Sequence, residues 1–266
     1  MPILDVYNLS KSFDGVKAVD GFSFALEKGQ IVALVGPNGA GKTTAFNIIT
    51  GYLESDQGKV SINIHRAKRI ITGCAPYKIA RLGIARTFQY MRLFSQMTVL
   101  ENLLLASAKR KHEELSSVFF SPKSIKQIEK ENLGRAEHYL DFVGLTEKRD
   151  SLAENLSHGQ RKLLSLARAL CLEPNILLLD EPTAGVFLET KEKIAGFFET
   201  LGSQGKTILF IEHDMHFIMN IADRVIVMSE GKKLCEGTSI EVAENPAVIE
   251  AYLGKKLDQS YEKYSN

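Results

Sequence analysis

Short runs of aliphatic residues alternate along this chain with stretches of helical periodicity. Three runs are too short for helices and are bounded by polar residues, which is typical of buried parallel strands. They are residues 31–35, 176–179 and 207–211. Between the last two, apolar residues recur at helical spacing, at Ile194, Phe197, Phe198 and Leu201. The repeated order of strand, helix and strand predicts an α/β fold built on a parallel sheet.

Alternation of apolar with polar or small residues predicts further strands that have one buried face. Residues 4–6 and 22–26 show it ahead of the first parallel strand, so we expect an antiparallel element there. Residues 60–64 repeat the alternation and could join the same sheet. The stretch 65–81 is irregular and basic, and we interpret it as a solvated surface segment. Residues 224–237 predict a hairpin.

A predominantly helical block interrupts the α/β pattern. Thr98 begins a capping box at a helix start, and Gly144 is typical of a helix end. We interpret this block as a helical subdomain inserted at about residues 89–157. The chain is therefore predicted to form one domain over residues 1–254, followed by a polar C-terminal tail at 255–266.

Composition and charge limit the classes of function. The 33 basic and 32 acidic residues leave a formal net charge of +1, which argues against nucleic acid and against an anionic membrane surface as partners. Cys74, Cys171 and Cys235 lack metal-ligand spacing and are typical of reduced intracellular thiols. No stretch approaches the ~20 apolar residues that a membrane span needs, so work at a membrane would require a partner.

The strongest chemical signal follows the first parallel strand. The residues that match the P-loop pattern are Gly36, Pro37, Asn38, Gly39, Ala40, Gly41, Lys42, Thr43 and Thr44. Such a loop can point successive backbone N–H groups at a phosphate, and the helix that follows adds the positive end of its dipole. We expect Lys42 to reach the β- and γ-phosphates and the Thr43 hydroxyl to bind Mg²⁺. A ligand-free glycine-rich turn is the alternative, and the strand before the loop argues against it.

Polar residues also end other predicted strands. In open parallel sheets, ligands bind beyond the carboxyl ends of the strands, so one nucleotide site would collect the P-loop, Asp180 with Glu181, and His213. Asp180 fits an acid that holds Mg²⁺ through water, and Glu181 can polarise an attacking water. Two adjacent acids can instead be a solvated loop or a helix cap. His213, and Gln89 after a short apolar strand, can instead be ordinary strand-end residues.

The segment 156–160 separates families of P-loop proteins. Ser157 and Gln160 form a capping box for the helix that follows, which accounts for both residues structurally. It does not account for Gly159, because glycine costs roughly 1 kcal/mol relative to alanine inside a helix. A close approach of the helix N-terminus to an anion would account for it. Phe13, in the first connection, can stack on a nucleotide base or pack in a minor core, and both readings stay open.

Together these motifs resemble the ATP-binding subunits of ABC transporters. The similar segments are Walker A at 36–44, the Q-loop at Gln89, the signature at 156–160, Walker B with its glutamate at 176–181, and the switch histidine at His213. Within that superfamily, other segments resemble the ATPases of branched-chain amino-acid importers: Ile84 to Gln89, Arg92 to Phe94, Thr98 to Asn102, Ile211 to Met215, and Ala251 to Gly254.

The resemblance implies a P-loop NTPase (RecA-like) core with a parallel sheet, an N-terminal antiparallel β subdomain and an inserted helical subdomain. It implies an ATPase that uses ATP and Mg²⁺. Catalysis would rest on Glu181, His213 and Gln89, and metal binding on Thr43, Gln89 and Asp180. The implied nucleotide-binding residues are those of the P-loop, with Phe13, Ser157, Gly159 and Gln160.

The resemblance also implies partners. Family members form head-to-tail dimers in which the signature of one subunit closes on the ATP of the other, so we expect a second ATP-binding subunit, either a copy or a paralogue. Transmembrane permease subunits are expected to contact residues 89–102, and an extracytoplasmic solute-binding protein is expected to deliver the solute. The chain would then lie peripherally on the cytoplasmic face of the inner (cell) membrane.

Two residues depart from the family pattern. His158 replaces the commoner glycine of the signature, a variation that is associated with this subfamily. Phe187 stands where related chains carry Asp or Asn, in a segment that resembles the D-loop and crosses the dimer interface. This change implies weaker hydrolysis or coupling, or a paired subunit with unequal sites.

Other members of the superfamily fit less well. A DNA-repair ATPase needs a long coiled coil before the signature, a translation factor carries two cassettes, and a regulatory module would be expected to lose Lys42 or Glu181. ATPases for urea import or lipopolysaccharide export stay open as alternatives, because the transported molecule does not touch this subunit.

Overall fold

The computed structural model describes residues 1–64, 67–107 and 122–252. In chain order, the strands are β1 (Leu4–Phe13), β2 (Val16–Leu26), β3 (Ile31–Val35), β4 (Gln57–Ile64), β5 (Ala67–Ile70), β6 (Ile84–Arg86), β7 (Ile176–Asp180), β8 (Thr207–Ile211), β9 (Arg224–Ser229) and β10 (Lys232–Gly237). The helices, numbered over the same residues, are α1 (Lys42–Ile49), α2 (Pro76–Arg81), α3 (Val99–Ser107), α4 (Pro122–Phe142), α5 (His158–Leu170), α6 (Leu188–Ser203), α7 (Met215–Ile221) and α8 (Ser239–Ala243).

The main sheet is parallel except at one edge. Its strand order is β10-β9-β3-β8-β7-β6, and only β10 runs antiparallel to its neighbour. Every residue of β3, β7 and β8 is buried, as expected for strands that are covered on both faces. The α/β class that the apolar runs predict is confirmed.

A smaller antiparallel sheet of order β2-β1-β4-β5 packs beside the main one. Leu4 pairs with Leu26 and with Ile62, so the predicted antiparallel element and the addition of residues 60–64 to it are both confirmed. Successive residues of β3 face different cores. Ala33 and Val35 pack with the helices of the inserted block, while Val32 and Leu34 pack toward the antiparallel sheet and α1. This period of two is the strand geometry that gives each face its own core.

Residues 65–81 are not irregular where the structure describes them, so that part of the interpretation is wrong, but among the described residues of this segment only Ile71 and Ile79 are buried, as expected for a surface segment. Residues 67–70 form β5, an edge strand whose side chains are all exposed, so no alternation of apolar and polar residues marked it. Residues 76–81 form α2, which starts on Pro76 and buries Ile79. Proline at the first helical position favours helix formation there. Residues 65 and 66 lie outside the described residues.

The helical block lies between β6 and β7. Thr98 caps α3 through the predicted box, since its N–H donates to Glu101 at 2.7 Å and its hydroxyl accepts from the Glu101 N–H at 3.1 Å. Gly144 has a φ of 69°, and Leu145 after it is buried, as predicted for a helix end. The bounds of the single domain and of the insertion stay predictions, and the tail at 255–266 lies outside the described residues. None of the described helices is long and apolar enough to cross a membrane.

Candidate nucleotide site

The order of the strands brings the predicted site residues together at the carboxyl ends of the parallel strands of the main sheet. Neighbouring strands β3, β8, β7 and β6 lead into the P-loop, His213, the Asp180–Glu181 pair and Gln89, respectively. These strands run parallel, so their carboxyl ends lie side by side. The polar residues at the ends of the predicted strands indicate a shared site, and the strand order makes these four segments neighbours.

The P-loop is held against two neighbouring strands by close backbone contacts. A Cβ atom at Gly36 would lie 1.9 Å from the Met228 carbonyl oxygen, and one at Gly41 would lie 2.1 Å from that of Ala18. Both glycines also have positive φ, 151° and 101°, which side chains disfavour. The Ala40 carbonyl accepts a hydrogen bond from the Gly231 N–H at 3.0 Å. The loop conformation is therefore fixed by β2 and the β9–β10 hairpin.

Lys42 opens helix α1 and turns back over the loop. Its side chain is buried, and its Nζ donates to the carbonyl oxygens of Gly36 at 2.6 Å and Pro37 at 2.9 Å. The ammonium group thus lies among the backbone groups of the P-loop, at the position where the P-loop pattern predicts a phosphate. Asn38, Gly39 and Thr43 are exposed around it.

Polar contacts fix both the side chain and the backbone of Glu181. Its Oε2 accepts from Gln89 Nε2 at 3.2 Å, and its Oε1 lies 3.1 Å from His213 Nε2. Its N–H donates to the Ile211 carbonyl at 3.0 Å, and its own carbonyl accepts from Lys162 Nζ at 2.6 Å. The residue has a φ of 49°, an uncommon left-handed conformation for a glutamate. The three residues assigned to catalysis from the sequence are therefore in direct contact.

Asp180 forms a buried ion pair that the sequence analysis did not anticipate. Its Oδ2 lies 3.1 Å from Arg86, and both side chains are at most 5% exposed. Arg86 also donates to Asn47 Oδ1 and to Thr50 Oγ1 on the P-loop helix. Burial raises the pKa of the Asp180 carboxyl, and the nearby guanidinium offsets part of that increase.

A cavity of about 340 Å³ opens beside this pair. Thr43, Gln89 and Asp180 line it, so the three predicted metal-binding residues do face one space. Hydroxyl, amide and carboxylate oxygens are hard ligands that suit Mg²⁺, which needs few protein ligands when phosphates supply the rest. Among the described residues no cluster of three or more His, Cys, Asp or Glu could hold a metal. The donor set therefore fits Mg²⁺ bound with a phosphate ligand.

The signature segment is built as predicted but opens on a different cavity. Ser157 Oγ accepts from the Gln160 N–H at 3.2 Å, and Gln160 Oε1 accepts from the Ser157 N–H at 3.0 Å. Ser157 and Gln160 line a second cavity of about 450 Å³. Gly159 has a packing reason as well, because a Cβ there would lie 3.1 Å from Thr190 Oγ1. Each chain thus presents the signature and the P-loop on separate cavities.

Two aromatic residues from the sequence analysis are exposed. Phe13 is 44% exposed at the end of β1, with Lys11 Nζ 5.8 Å from its ring centroid. Phe187 is 90% exposed and occupies the N-cap position of α6 without a side-chain capping bond. His158, the other departure, places Nε2 3.3 Å from the Ala184 carbonyl oxygen, so it contacts the same segment as Phe187.

Comparison with known proteins identifies the family. The family described as ABC transporter matches residues 19–184, more than half of the chain. The chain belongs to the ABC transporter family. As an ABC ATP-binding subunit it binds and hydrolyses ATP, and the resemblance drawn from its motifs is confirmed. Residues 232–257 also match the family described as Branched-chain amino acid ATP-binding cassette transporter.

Relatives of this ABC subunit match it over nearly its whole length. The high-affinity branched-chain amino acid transport ATP-binding protein LivG of Salmonella typhimurium is 41% identical, covering 96% of this chain and 98% of that protein. BraF of Pseudomonas aeruginosa, which has the same description, is 39% identical with the same coverage. A solved nucleotide-free ATP-binding cassette of an ABC transporter is 36% identical, with a TM-score of 0.81 over 95% of this chain and 99% of that one. The predicted P-loop NTPase fold is thereby confirmed.

Arg86 and Lys162 are contributors to the site that sequence reasoning missed. Both carried only a weak signal in the sequence. Arg86 lies in a short apolar strand, and Lys162 lies on the buried face of α5. A buried cation requires a partner, but its identity depends on pairing between distant segments of the chain.

Proposed function

We propose that this chain is the ATP-hydrolysing subunit of an importer for branched-chain amino acids. The observation that carries the proposal is the match of residues 232–257 to the branched-chain amino-acid subfamily, outside the part of the chain that the general ABC family matches. Relatives described as branched-chain amino-acid transport ATP-binding proteins support it, since they match over nearly the whole chain.

In this proposal the P-loop residues 36–44 hold the phosphates of ATP. The Lys42 ammonium moves from the Gly36 and Pro37 carbonyls to phosphate oxygens, which are stronger acceptors because they are charged. Thr43, Asp180 and Gln89 would hold Mg²⁺ in the cavity that all three line. When bound, Mg²⁺ neutralises charge on the phosphates.

Glu181 accepts a proton from the attacking water. Gln89 and His213 each contact one of its two carboxylate oxygens, which fixes the direction of the carboxylate. A general base must lie within hydrogen-bond reach of the proton that it removes, so this orientation is what the reaction requires of the chain. His213 and Gln89 thereby act beside Glu181 as the sequence motifs suggest.

The second half of each site comes from another ATP-binding subunit, either a copy or a paralogue. Ser157 and Gln160, which flank Gly159, open on a cavity separate from the P-loop, and this supports a role of the signature toward the nucleotide of a partner. A dimeric ATP-binding cassette with ADP and Pi bound is 26% identical to this chain, with a TM-score of 0.73 over 89% of this chain and 98% of that one.

Phe13, which is exposed at the end of β1, stacks on the base of the bound nucleotide in this proposal.

The transport partners complete the proposal. Permease subunits contact residues 89–102, where Tyr90 and Phe94 are exposed aromatic residues, and an extracytoplasmic solute-binding protein delivers the amino acid. The chain then lies peripherally on the cytoplasmic face of the inner membrane.

Lys42→Ala should weaken ATP binding by about 10- to 100-fold, because a hydrogen bond to a charged group contributes about 1.5–3 kcal/mol. Isothermal titration of the purified chain with ATP measures the affinity. Lys68→Ala is the matched control, since it removes an exposed ammonium that pairs with Asp5 on the antiparallel sheet. An ATP affinity of Lys42→Ala within twofold of the parent would remove Lys42 from the phosphate site.

Capture of the tagged chain from gently solubilised native membranes tests the proposed function. Mass spectrometry should identify two distinct permeases, a second ATP-binding subunit and a solute-binding protein for branched-chain amino acids. Recovery of a urea permease or a lipopolysaccharide exporter in their place would overturn the importer assignment while leaving the ATPase assignment intact.

A further inference from the structure

Lys162 is a buried cation that the proposed mechanism does not use. The residue is 8% exposed and lies on the apolar face of α5, two residues after Gln160 of the signature. Long charged side chains are almost never buried unless they are paired, because removing an ammonium group from water is unfavourable. A compensating interaction at this position therefore has to be strong.

The Lys162 ammonium is directed at the backbone of Glu181. Its Nζ donates to the Glu181 carbonyl oxygen at 2.6 Å. The same carbonyl accepts from the Ala184 N–H at 3.3 Å, so it is shared between the tight turn after β7 and the signature helix. Burial lowers the pKa of the Lys162 ammonium, and the carboxylates of Glu212, Glu181 and Asp180 offset part of that decrease. Lys162 thus lies beneath the acidic end of β7, beside a cavity of about 20 Å³ that is large enough for one water molecule.

The backbone of Glu181 needs this support. A φ of 49° is uncommon for a residue with a Cβ, so the conformation of Glu181 depends on the groups that hold its two peptide groups. The Ile211 carbonyl holds the N–H of Glu181, and Lys162 holds the carbonyl. A change of the Glu181 φ toward the commoner negative values would redirect its side chain relative to Gln89 and His213.

We propose that Lys162 is a positioning residue that fixes the backbone of Glu181 and links the catalytic carboxylate to the signature helix. The inference rests on the proposed role of Glu181. Because α5 begins at the signature, the bond connects the half-site that each chain offers to its partner with the carboxylate that works on the chain's own ATP. A shift of α5 on dimer closure is transmitted through Lys162 to Glu181.

Lys162→Met tests the inference, because methionine keeps the apolar stem and removes the donor. We expect kcat for ATP hydrolysis to fall by about 10- to 100-fold, as misplacement of a reacting group by about 1 Å does, while KM and ATP affinity stay within about twofold. Lys162→Arg should recover most of the activity, because it restores a cationic donor. Lys206→Met is the matched control, since Lys206 Nζ also donates to a main-chain carbonyl, that of Pro174 at 2.7 Å, away from the site.

Two further measurements separate this inference from the proposed role of Glu181. In a Glu181→Gln background, Lys162→Met should lower kcat no further, because both changes act on one group. Hydrogen exchange of the isolated chain should be about tenfold faster over residues 181–184 in Lys162→Met, with β8 unchanged.

Unchanged exchange over residues 181–184, or normal kcat in Lys162→Met beside a defective Glu181→Gln, would overturn the inference. Full activity in Glu181→Gln would instead overturn the role of Glu181 itself.

Discussion

Glu181→Gln should lower kcat for ATP hydrolysis by about 10² to 10⁴, the range expected when a general base is lost. Glutamine has the same shape and can still contact Gln89 and His213, but its amide cannot take a proton from water. KM and the free energy of unfolding should therefore stay near those of the parent. Steady-state hydrolysis by the purified chain measures the change, and ATP-dependent dimer should accumulate in gel filtration because the bound ATP persists.

A second glutamate offers a matched control for this substitution. Glu230 has the same left-handed φ of 49° and is exposed at the turn of the β9–β10 hairpin. Glu230→Gln makes the same chemical change on the same backbone conformation, and it should leave kcat unchanged. Turnover in Glu181→Gln that equals the parent's would remove Glu181 from its proposed role, whatever the control does.

Arg86→Met should destabilise the fold by about 3–5 kcal/mol, the usual effect of breaking a buried ion pair. Methionine fills the space between the rings of Phe46 and Phe88 but leaves the Asp180 carboxylate buried without its cation. The hydrogen bonds to Asn47 and Thr50 are lost as well. Urea denaturation at neutral pH measures the loss.

The double variant Arg86→Met with Asp180→Asn isolates the electrostatic part of the stability loss. Asparagine removes the unpaired charge, so the double variant should regain a large share of the lost stability even though it carries two substitutions. A double variant that is less stable than Arg86→Met alone would show that the cation acts mainly through packing.

The deficit of Arg86→Met should also depend on pH. Burial raises the pKa of Asp180, and a carboxyl whose pKa is higher in the folded state contributes full stability below its unfolded pKa and loses it as pH rises through the folded pKa. Arg86 lowers the folded-state pKa of Asp180. Its removal should therefore decrease the free energy of unfolding more at about pH 8 than at about pH 5. Equal deficits at both values would contradict this assignment of the ion pair.

Sequence patterns predicted the parts of the fold in which local signals and tertiary structure agree. The apolar runs of β3, β7 and β8 are buried on both faces, so their composition alone marks them as core strands. The boxes at Thr98 and Ser157 are local, because each capping bond joins residues three apart. β5 escaped prediction because all four of its side chains are exposed, so only backbone pairing to β4 defines it.

The site was predictable where its residues sit in contiguous motifs. Lys42, Gln89, Glu181 and His213 each follow a recognisable strand, and the parallel order of those strands brings the segments together. The contacts of Asp180 with Arg86 and of Glu181 with Lys162 were not predictable, because they join segments 94 and 19 residues apart. Their pairing depends on how β6 and α5 pack against β7, which no local pattern encodes.

Uptake of radiolabelled leucine by whole cells is the most direct test of the proposed function. Cells of the parent organism that lack this chain should lose most high-affinity leucine uptake and regain it when supplied with the wild-type chain. The Lys42→Ala and Glu181→Gln chains should fail to restore uptake, although both should be produced at normal levels. Unchanged leucine, isoleucine and valine uptake in the deleted cells would contradict the assignment of this ATPase to branched-chain amino-acid import.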